Sequence, residues 1–514
     1  MIGVGPGDAE LLTLRAVKLL GEADVVIAPP GIVTPYETHV RPGAEIVEGA
    51  ELGPGEADKL ALKSAKGGRK VARLYPGDPL FYCKAADLAV SARKAEVPFE
   101  IAAGVPVPTG VASYAGTPLV AAGQGEVRTL DAGEVKDWSE HAASSATLAI
   151  MFGEESVPQL AKELIAGGRA ESTPVAVTSL GTTTRQATVS ATLKTIAAAL
   201  KSAGGVDGPA TIIVGEGAGR REALSWFETR PLFGWRVLVP RTKEQSGALM
   251  EQLRSYGAVP EQVPTISVEP PRTPQQMERA VKGLVTGRYQ WVAFTSTNAV
   301  RAIRERFEEY GLDARAFAGV KVAAVGEQTA AALVAFGIQP DLVPDGQHSS
   351  EGLLEVWPPY DPDLDPLERV LLPRADIATE TLVAGITELG WEVEDVTAYR
   401  TVRAAPPPAP TREAIKGGGF DAVLFTSSST VRNLVGIAGK PHAATVIGVI
   451  GPQTAKTAEE FGLRVDVHAS RASASVLAAE LATYGAAHRQ KQIDAGAVVR
   501  RPSQMRRGAR RRAK

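Results

Sequence analysis

Part of this chain is written twice, and that repeat constrains its fold more than any other feature. RVLVPRTKEQSGALMEQLRSYGAVPEQV, from Arg236, aligns with RVLLPRADIATETLVAGITELGWEVEDV, from Arg369. WVAFTSTNAVRAI from Trp291 aligns with AVLFTSSSTVRNL from Ala422, and VAAVGEQTAAALVAFGI from Val322 with IGVIGPQTAKTAEEFGL from Ile447. Arg241 and Arg374 lie 133 residues apart, Thr295 and Thr426 131, and Gly326 and Gly451 125. Similar offsets at three places mark two copies of one supersecondary unit. In each copy short apolar runs alternate with helical patterns, the signature of parallel α/β structure. Two alike units predict two facing lobes, and the cleft between such lobes is a favoured ligand site.

The repeat occupies only the second half of 514 residues, too many for one core. The first half also reads as α/β. Asp24–Ala28, Lys70–Leu74, Thr147–Phe152, Pro174–Thr178 and Thr211–Val214 are strand candidates. Residues Ala9–Leu20 place Leu12, Ala16, Leu19 and Leu20 on one helical face. The compact stretch WFETRPLFGW (226–235) separates the two halves. A single cysteine, Cys83, excludes an internal disulfide framework and fits a reducing cytoplasm. The start of the chain carries no basic-then-apolar signal, and no apolar run is long enough for a membrane span. Six scattered histidines without ligand spacing argue against a metal site.

Net charge is −2, but ten Arg/Lys against Asp494 give residues 488–514 a charge of +9, leaving a body at −11. The segment 484–514 ends RRGARRRAK without apolar periodicity and is expected to be a disordered basic tail. The acidic body argues against nucleic acid as the main ligand.

Chemistry concentrates at the strand-to-helix junctions of the repeat. Thr295 and Ser296 match Thr426 and Ser427; Gly326 and Thr329 match Gly451 and Thr454. Helix N-termini offer unpaired N–H groups and partial positive charge, so four of them around a cleft suit a ligand with many carboxylates. The alternative is that each Ser or Thr only caps its own helix. Arg241 and Arg374 follow strands, where a guanidinium fork can take a carboxylate or an ordinary ion pair.

The doubled strand–Thr-Ser–helix and strand–Gly-x-x-Thr–helix pattern, with Val396-Thr397-Ala398-Tyr399-Arg400, resembles uroporphyrinogen-III synthase. The resemblance implies a two-lobed domain at 235–483, with lobe one at 235–266 and 402–483 and lobe two at 267–401. It implies cyclisation of hydroxymethylbilane with loss of water and inversion of ring D, without a cofactor. It makes Tyr399 the active-site tyrosine, whose hydroxyl can protonate or orient a leaving hydroxyl. The non-enzymatic alternative is a two-lobed protein that only binds a carboxylate ligand.

Residues 1–222 resemble the tetrapyrrole methyltransferases, especially uroporphyrinogen-III C-methyltransferase, joined to the synthase by a linker at 223–234. The resemblance is carried by GVGPGDAELLTLRAVKLLGEADVV, RLYPGDP (73–79), YAGTPL (114–119), TPVAV (173–177) and PATIIVG (209–215). It implies two α/β subdomains, a homodimer, uroporphyrinogen III as substrate, and S-adenosylmethionine held at Gly5, Pro6, Gly77, Asp78, Gly153, Ala176 and Ala210. Departures follow. Ala28-Pro29 stands where the family has Tyr-Asp, Phe81-Tyr82-Cys83-Lys84 where it has Gly-Arg-Gly-Gly, and Val120-Ala121-Ala122 where it has Thr-His-Arg. These leave two readings: a working methyltransferase, or a degenerate, structural or regulatory domain.

Overall fold

The computed structural model describes all residues except 50–54, 121–124, 153–156, 206–207, 348 and 510–514. The chain forms two compact units. The first comprises residues 1–237, 251–260 and 478–501, and the second 238–250, 261–477 and 502–514.

The first unit holds two sheets. Strands β1 (Ile2–Gly3), β2 (Val25–Ala28), β3 (Glu45–Glu48) and β4 (Val71–Tyr75) form a parallel sheet in the order β1-β4-β2-β3. β2 is apolar throughout because both faces are covered. Val26 and Ala28 join one core with Ala16 and Leu20, while Val25 and Ile27 join another with Ala61 and Leu88. Strands β5 (Val127–Asp131), β6 (Thr147–Phe152), β7 (Pro174–Ser179), β8 (Ala187–Thr192) and β9 (Ala210–Val214) form the second sheet, in the order β5-β6-β9-β7-β8.

The expected helix Ala9–Leu20 is divided. Ala9–Leu11 is a single 3₁₀ turn capped by Asp8, and the α-helix runs over Leu14–Glu22 with Thr13 Oγ1 accepting the Ala16 N–H at 3.2 Å. Two capping side chains five residues apart offered two starts, and the chain takes both.

The rest of the chain forms two five-stranded sheets. One is built from β10 (Arg236–Val239), β11 (Val259–Gln262), β17 (Ala422–Phe425), β18 (Val446–Val449) and β19 (Val467–His468), in the order β11-β10-β17-β18-β19. The other takes β12 (Ile266–Glu269), β13 (Trp291–Phe294), β14 (Lys321–Ala324), β15 (Arg369–Ala375) and β16 (Glu392–Arg403), in the order β12-β16-β15-β13-β14. β16 is long because it pairs twice, parallel to β15 and then antiparallel to β12, where Ile266 faces Arg403. Val292 and Phe294 point to one core with Val300 and Phe307, whereas Trp291 and Ala293 point to the other with Trp357 and Trp391.

Two connecting segments differ in how they match expectation. Residues 223–234 make a compact join, in which Phe227 and Leu232 are buried, as is the neighbouring Trp235. The segment 484–514, by contrast, is not disordered along its described length. One helix runs from Ala474 to Asp494 and another from Pro502 to Ala509. Gly485 sits where a Cβ would fall 2.6 Å from the Pro231 carbonyl, and the His488 ring meets Trp235 edge-on at 6.0 Å. The Ser503 N–H reaches the buried Asp421 carboxylate at 2.8 Å. Charge counting missed these contacts because they use a glycine, a ring and a backbone N–H rather than an apolar stripe.

Candidate active site

Tyr399 owes its position to a fault in a ladder. β15 and β16 pair regularly up to Arg374 opposite Thr397; the next pair is Ala375 with Tyr399, so Ala398 is an extra residue. Such a bulge re-aims the side chains that follow it. Val396, Ala398 and Tyr399 therefore all enter the core beneath the helix Thr297–Glu309, although alternation would have sent Tyr399 to the other face. Its ring is buried, and its hydroxyl lies 2.9 Å from Ser296 Oγ. Ser296 is the N-cap of that helix, accepting the Ala299 N–H at 3.2 Å. Two residues selected separately from the sequence, 103 positions apart, thus meet.

The two repeated arginines part company. Arg374 is buried, and its guanidinium is spent on Asp395 (2.7 Å from Nε and a second, shorter contact), on Glu380 at 2.9 Å and on the Thr379 carbonyl. The bonds to Asp395 first, then those to Glu380, hold its proton more tightly than usual, overriding burial. Of the two roles the sequence leaves open to it, the structure shows the ion pair: its donors already have partners. Arg241 is half-buried, and burial alone lowers its proton affinity. No carboxylate or other acceptor pairs with its guanidinium among the described residues. An incoming carboxylate would complete it.

The four junctions also divide into two kinds. Ser427 caps its helix in a reciprocal box with Thr430, and Ser296 caps as described. The helices Glu327–Phe336 and Pro452–Glu460 start at Gly326 and Gly451 with no side-chain cap, which leaves first-turn N–H groups for another acceptor, fewer in the second helix because Pro452 has none and the Thr454 N–H returns to the Gly451 carbonyl at 3.1 Å. Thr295 and Thr426 are half-buried at their strand ends, while Thr329 and Thr454 are buried, so the hydroxyls of the latter pair are poorly placed to reach a ligand.

A cavity of about 240 Å³ opens beside Tyr399, lined by Val268, Pro270, Asn298, Arg301 and Glu305 among others. Arg400 pairs with Glu269 at 2.7 Å and Arg301 with Glu305 at 3.6 Å along its wall. Sequence reasoning did not single out Glu269 or Arg400. The only signal was the Tyr-Arg dipeptide, and the partner lies 131 residues away.

In the first unit the glycine loops close on each other. The Gly5 N–H donates to the Gly77 carbonyl at 3.2 Å, and the Gly77 N–H to the Gly5 carbonyl at 2.8 Å. A Cβ at Gly104 would lie 2.1 Å from the Gly77 oxygen, so only glycine allows this approach. Asp78 accepts the N–H groups of Leu80 (2.9 Å) and Gly104 (3.0 Å). Asp78 thus ties the loop together through its carboxylate. Ala176 and Ala210 lie in the core of the second sheet. Each is buried in a strand paired on both sides, with Ala176 packed on Ala149, Ile213 and Ala218. Gly153 lies outside the described residues. Tyr82, at φ 57°, donates its hydroxyl to the Thr129 carbonyl at 2.5 Å, in the stretch where the Gly-Arg-Gly-Gly pattern is missing. Leu180 and Thr182 also have positive φ, in the loop after β7. Gly5, Pro6 and Gly77 thus bring backbone and small side chains together in this loop pair.

The folds and sites define a class: a chain of two α/β parts, one with glycine-lined strand ends and one with a tyrosine hydroxyl and an arginine at strand ends that has no acceptor among the described residues. Comparison with known proteins names the parts. Residues 1–197 match the family model for tetrapyrrole (corrin/porphyrin) methylases, and residues 247–479 match that for uroporphyrinogen-III synthase HemD. The chain is a fusion of a tetrapyrrole methylase-family domain with a uroporphyrinogen-III synthase-family domain. It is 29% identical over 482 residues to the porphyrin biosynthesis protein HemD of Ruminiclostridium josui, covering 90% of this chain and 94% of that protein. It is 35% identical over 240 residues to sirohaem synthase 1 of Klebsiella pneumoniae, covering 44% of this chain and 50% of that protein. The chain spans about half the length of the sirohaem synthases it matches. Among solved structures, uroporphyrin-III C-methyltransferase of Thermus thermophilus complexed with S-adenosyl homocysteine is 28% identical, covering 42% of this chain and 97% of that one, at a TM-score of 0.37. Among the described residues no helix is long and apolar enough to cross a membrane.

Proposed function

We propose that the synthase-family part cyclises hydroxymethylbilane to uroporphyrinogen III, with Tyr399 as the proton donor. The observation that carries this reading is the Tyr399 hydroxyl, re-aimed by the bulge and held 2.9 Å from a helix-capping serine. In the step it would catalyse, the C–O bond of the hydroxymethyl group breaks. The oxygen leaves with the bonding pair and takes the tyrosine proton, departing as water. The phenolate is reprotonated when the pyrrole system gives up a proton on ring closure. Arg241 and the uncapped helix starts at Gly326 and Gly451 would bind substrate carboxylates, from lobes at 235–266 with 402–483 and at 267–401. The test is whether the full chain converts hydroxymethylbilane to the type III isomer. Formation of the type I isomer alone, at the spontaneous rate, would refute the reading and favour a carboxylate-binding protein.

For the methylase-family part we propose S-adenosylmethionine as the ligand, lying against Gly5, Pro6 and Gly77, with uroporphyrinogen III as methyl acceptor. The cofactor would supply the methyl group. The chain's own residues offer backbone and small side chains for binding, and Tyr82 in place of the family's Gly-Arg pattern argues for slow turnover.

A further inference from the structure

We infer that Ser296 is a positioning residue for Tyr399: it donates its proton to the tyrosine oxygen and so leaves the tyrosine proton free for the substrate. This inference rests on the role assigned to Tyr399 above. Ser296 Oγ has one hydrogen. It already accepts the Ala299 N–H at 3.2 Å, and Tyr399 Oη lies 2.9 Å away. A hydroxyl that accepts a hydrogen bond becomes a better donor, because accepting polarises its own O–H. The relay therefore runs from the helix N–H through Ser296 Oγ–H to Tyr399 Oη. It ends at the positive end of the helix Thr297–Glu309, where negative charge is favoured.

This direction matters for proton donation. If Tyr399 donated to Ser296, its proton would be tied into the protein. With Ser296 as donor, the tyrosine proton is free, and the phenolate left after transfer keeps a short hydrogen bond. That bond strengthens as charge develops, so it acts on the transition state more than on substrate binding. The other three junctions lack this arrangement. Ser427, the equivalent serine in the second copy, pairs with Ser429 at 2.9 Å and with Thr430.

The test separates capping from positioning. Glycine is accepted at a helix start almost as well as serine, whereas alanine is not. Ser296→Gly should therefore keep the thermal stability of the full chain and still lower kcat about 10- to 100-fold, the effect of losing a hydrogen bond to a group that becomes charged, with KM nearly unchanged. Ser296→Thr, which keeps a donor, should restore most of the rate. In a Tyr399→Phe background, Ser296→Gly should have no further effect on kcat. A wild-type kcat for Ser296→Gly, with Tyr399→Phe slow, would overturn the positioning role and leave Tyr399 as the donor. A wild-type kcat for Tyr399→Phe would instead remove the reading on which the inference rests. Equal, independent losses from both changes, multiplying in the double variant, would also overturn it.

Discussion

Arg241 and Arg374 occupy the same place in the two copies of the repeat, so replacing each by alanine should give opposite results. Arg374 has a side chain only 7% exposed and lies against Asp395 and Glu380, which are 37% and 77% exposed. Removing one partner of a buried ion pair typically costs about 3–5 kcal/mol. Water can take over part of the solvation of both acids here, so Arg374→Ala should cost nearer 2–3 kcal/mol, or roughly 5–10 °C in melting temperature at about 2–4 °C per kcal/mol. Turnover by the folded fraction should be close to that of the wild type. Arg241 has no acceptor among the described residues, and burial weakens its hold on its proton. Arg241→Ala should leave stability unchanged or slightly raised. If the guanidinium takes a substrate carboxylate, KM should rise about 10- to 100-fold, matching about 1.5–3 kcal/mol for a charge-assisted bond. The assays are thermal unfolding of the full chain and formation of the type III isomer across substrate concentrations. A stable Arg374→Ala with raised KM, or an unstable Arg241→Ala with normal KM, would reverse the assignment and refute the reasoning.

Tyr399→Phe keeps the ring in its core and removes one hydroxyl, so kcat should fall by about 10²-fold while KM holds; steady-state kinetics decide, and an unchanged kcat demotes Tyr399 to packing. Ending the chain after residue 483 removes the His488–Trp235 contact and the Ser503 bond to Asp421, so its melting temperature should fall by several degrees; an unchanged melting curve would show that these contacts contribute nothing. Gly485→Ala, with its Cβ 2.6 Å from a backbone oxygen, should cost about 1–3 kcal/mol by overpacking, checked by urea unfolding. Radiolabelled S-adenosylmethionine should transfer methyl groups to uroporphyrinogen III slowly or not at all, and efficient dimethylation would overturn the view of Tyr82 as an obstacle.

The sequence by itself determined the parts that depend on periodicity and repetition. Strands β2, β4, β6, β7 and β9 fall within a residue or so of the apolar runs that mark them, because a strand covered on both faces needs a continuous apolar run. The doubled motifs located the junctions, and the Thr-Ser and Gly-x-x-Thr patterns sit at helix starts because hydroxyls and glycine suit the N-cap. Tertiary structure decided what periodicity cannot encode. An extra residue at Ala398 turned Tyr399 toward Ser296, and a bulge is a property of a pair of strands rather than of one. Equivalent arginines took different roles because Asp395 stands opposite one of them and, among the described residues, no acid pairs with the other. Ala176 and Ala210 lie in strands paired on both sides, and a strand's neighbours, not its own residues, determine that pairing. The basic C-terminal stretch folded into helices for the same reason: its partners, Pro231, Trp235 and Asp421, lie far back in the chain, where a local reading of charge does not reach.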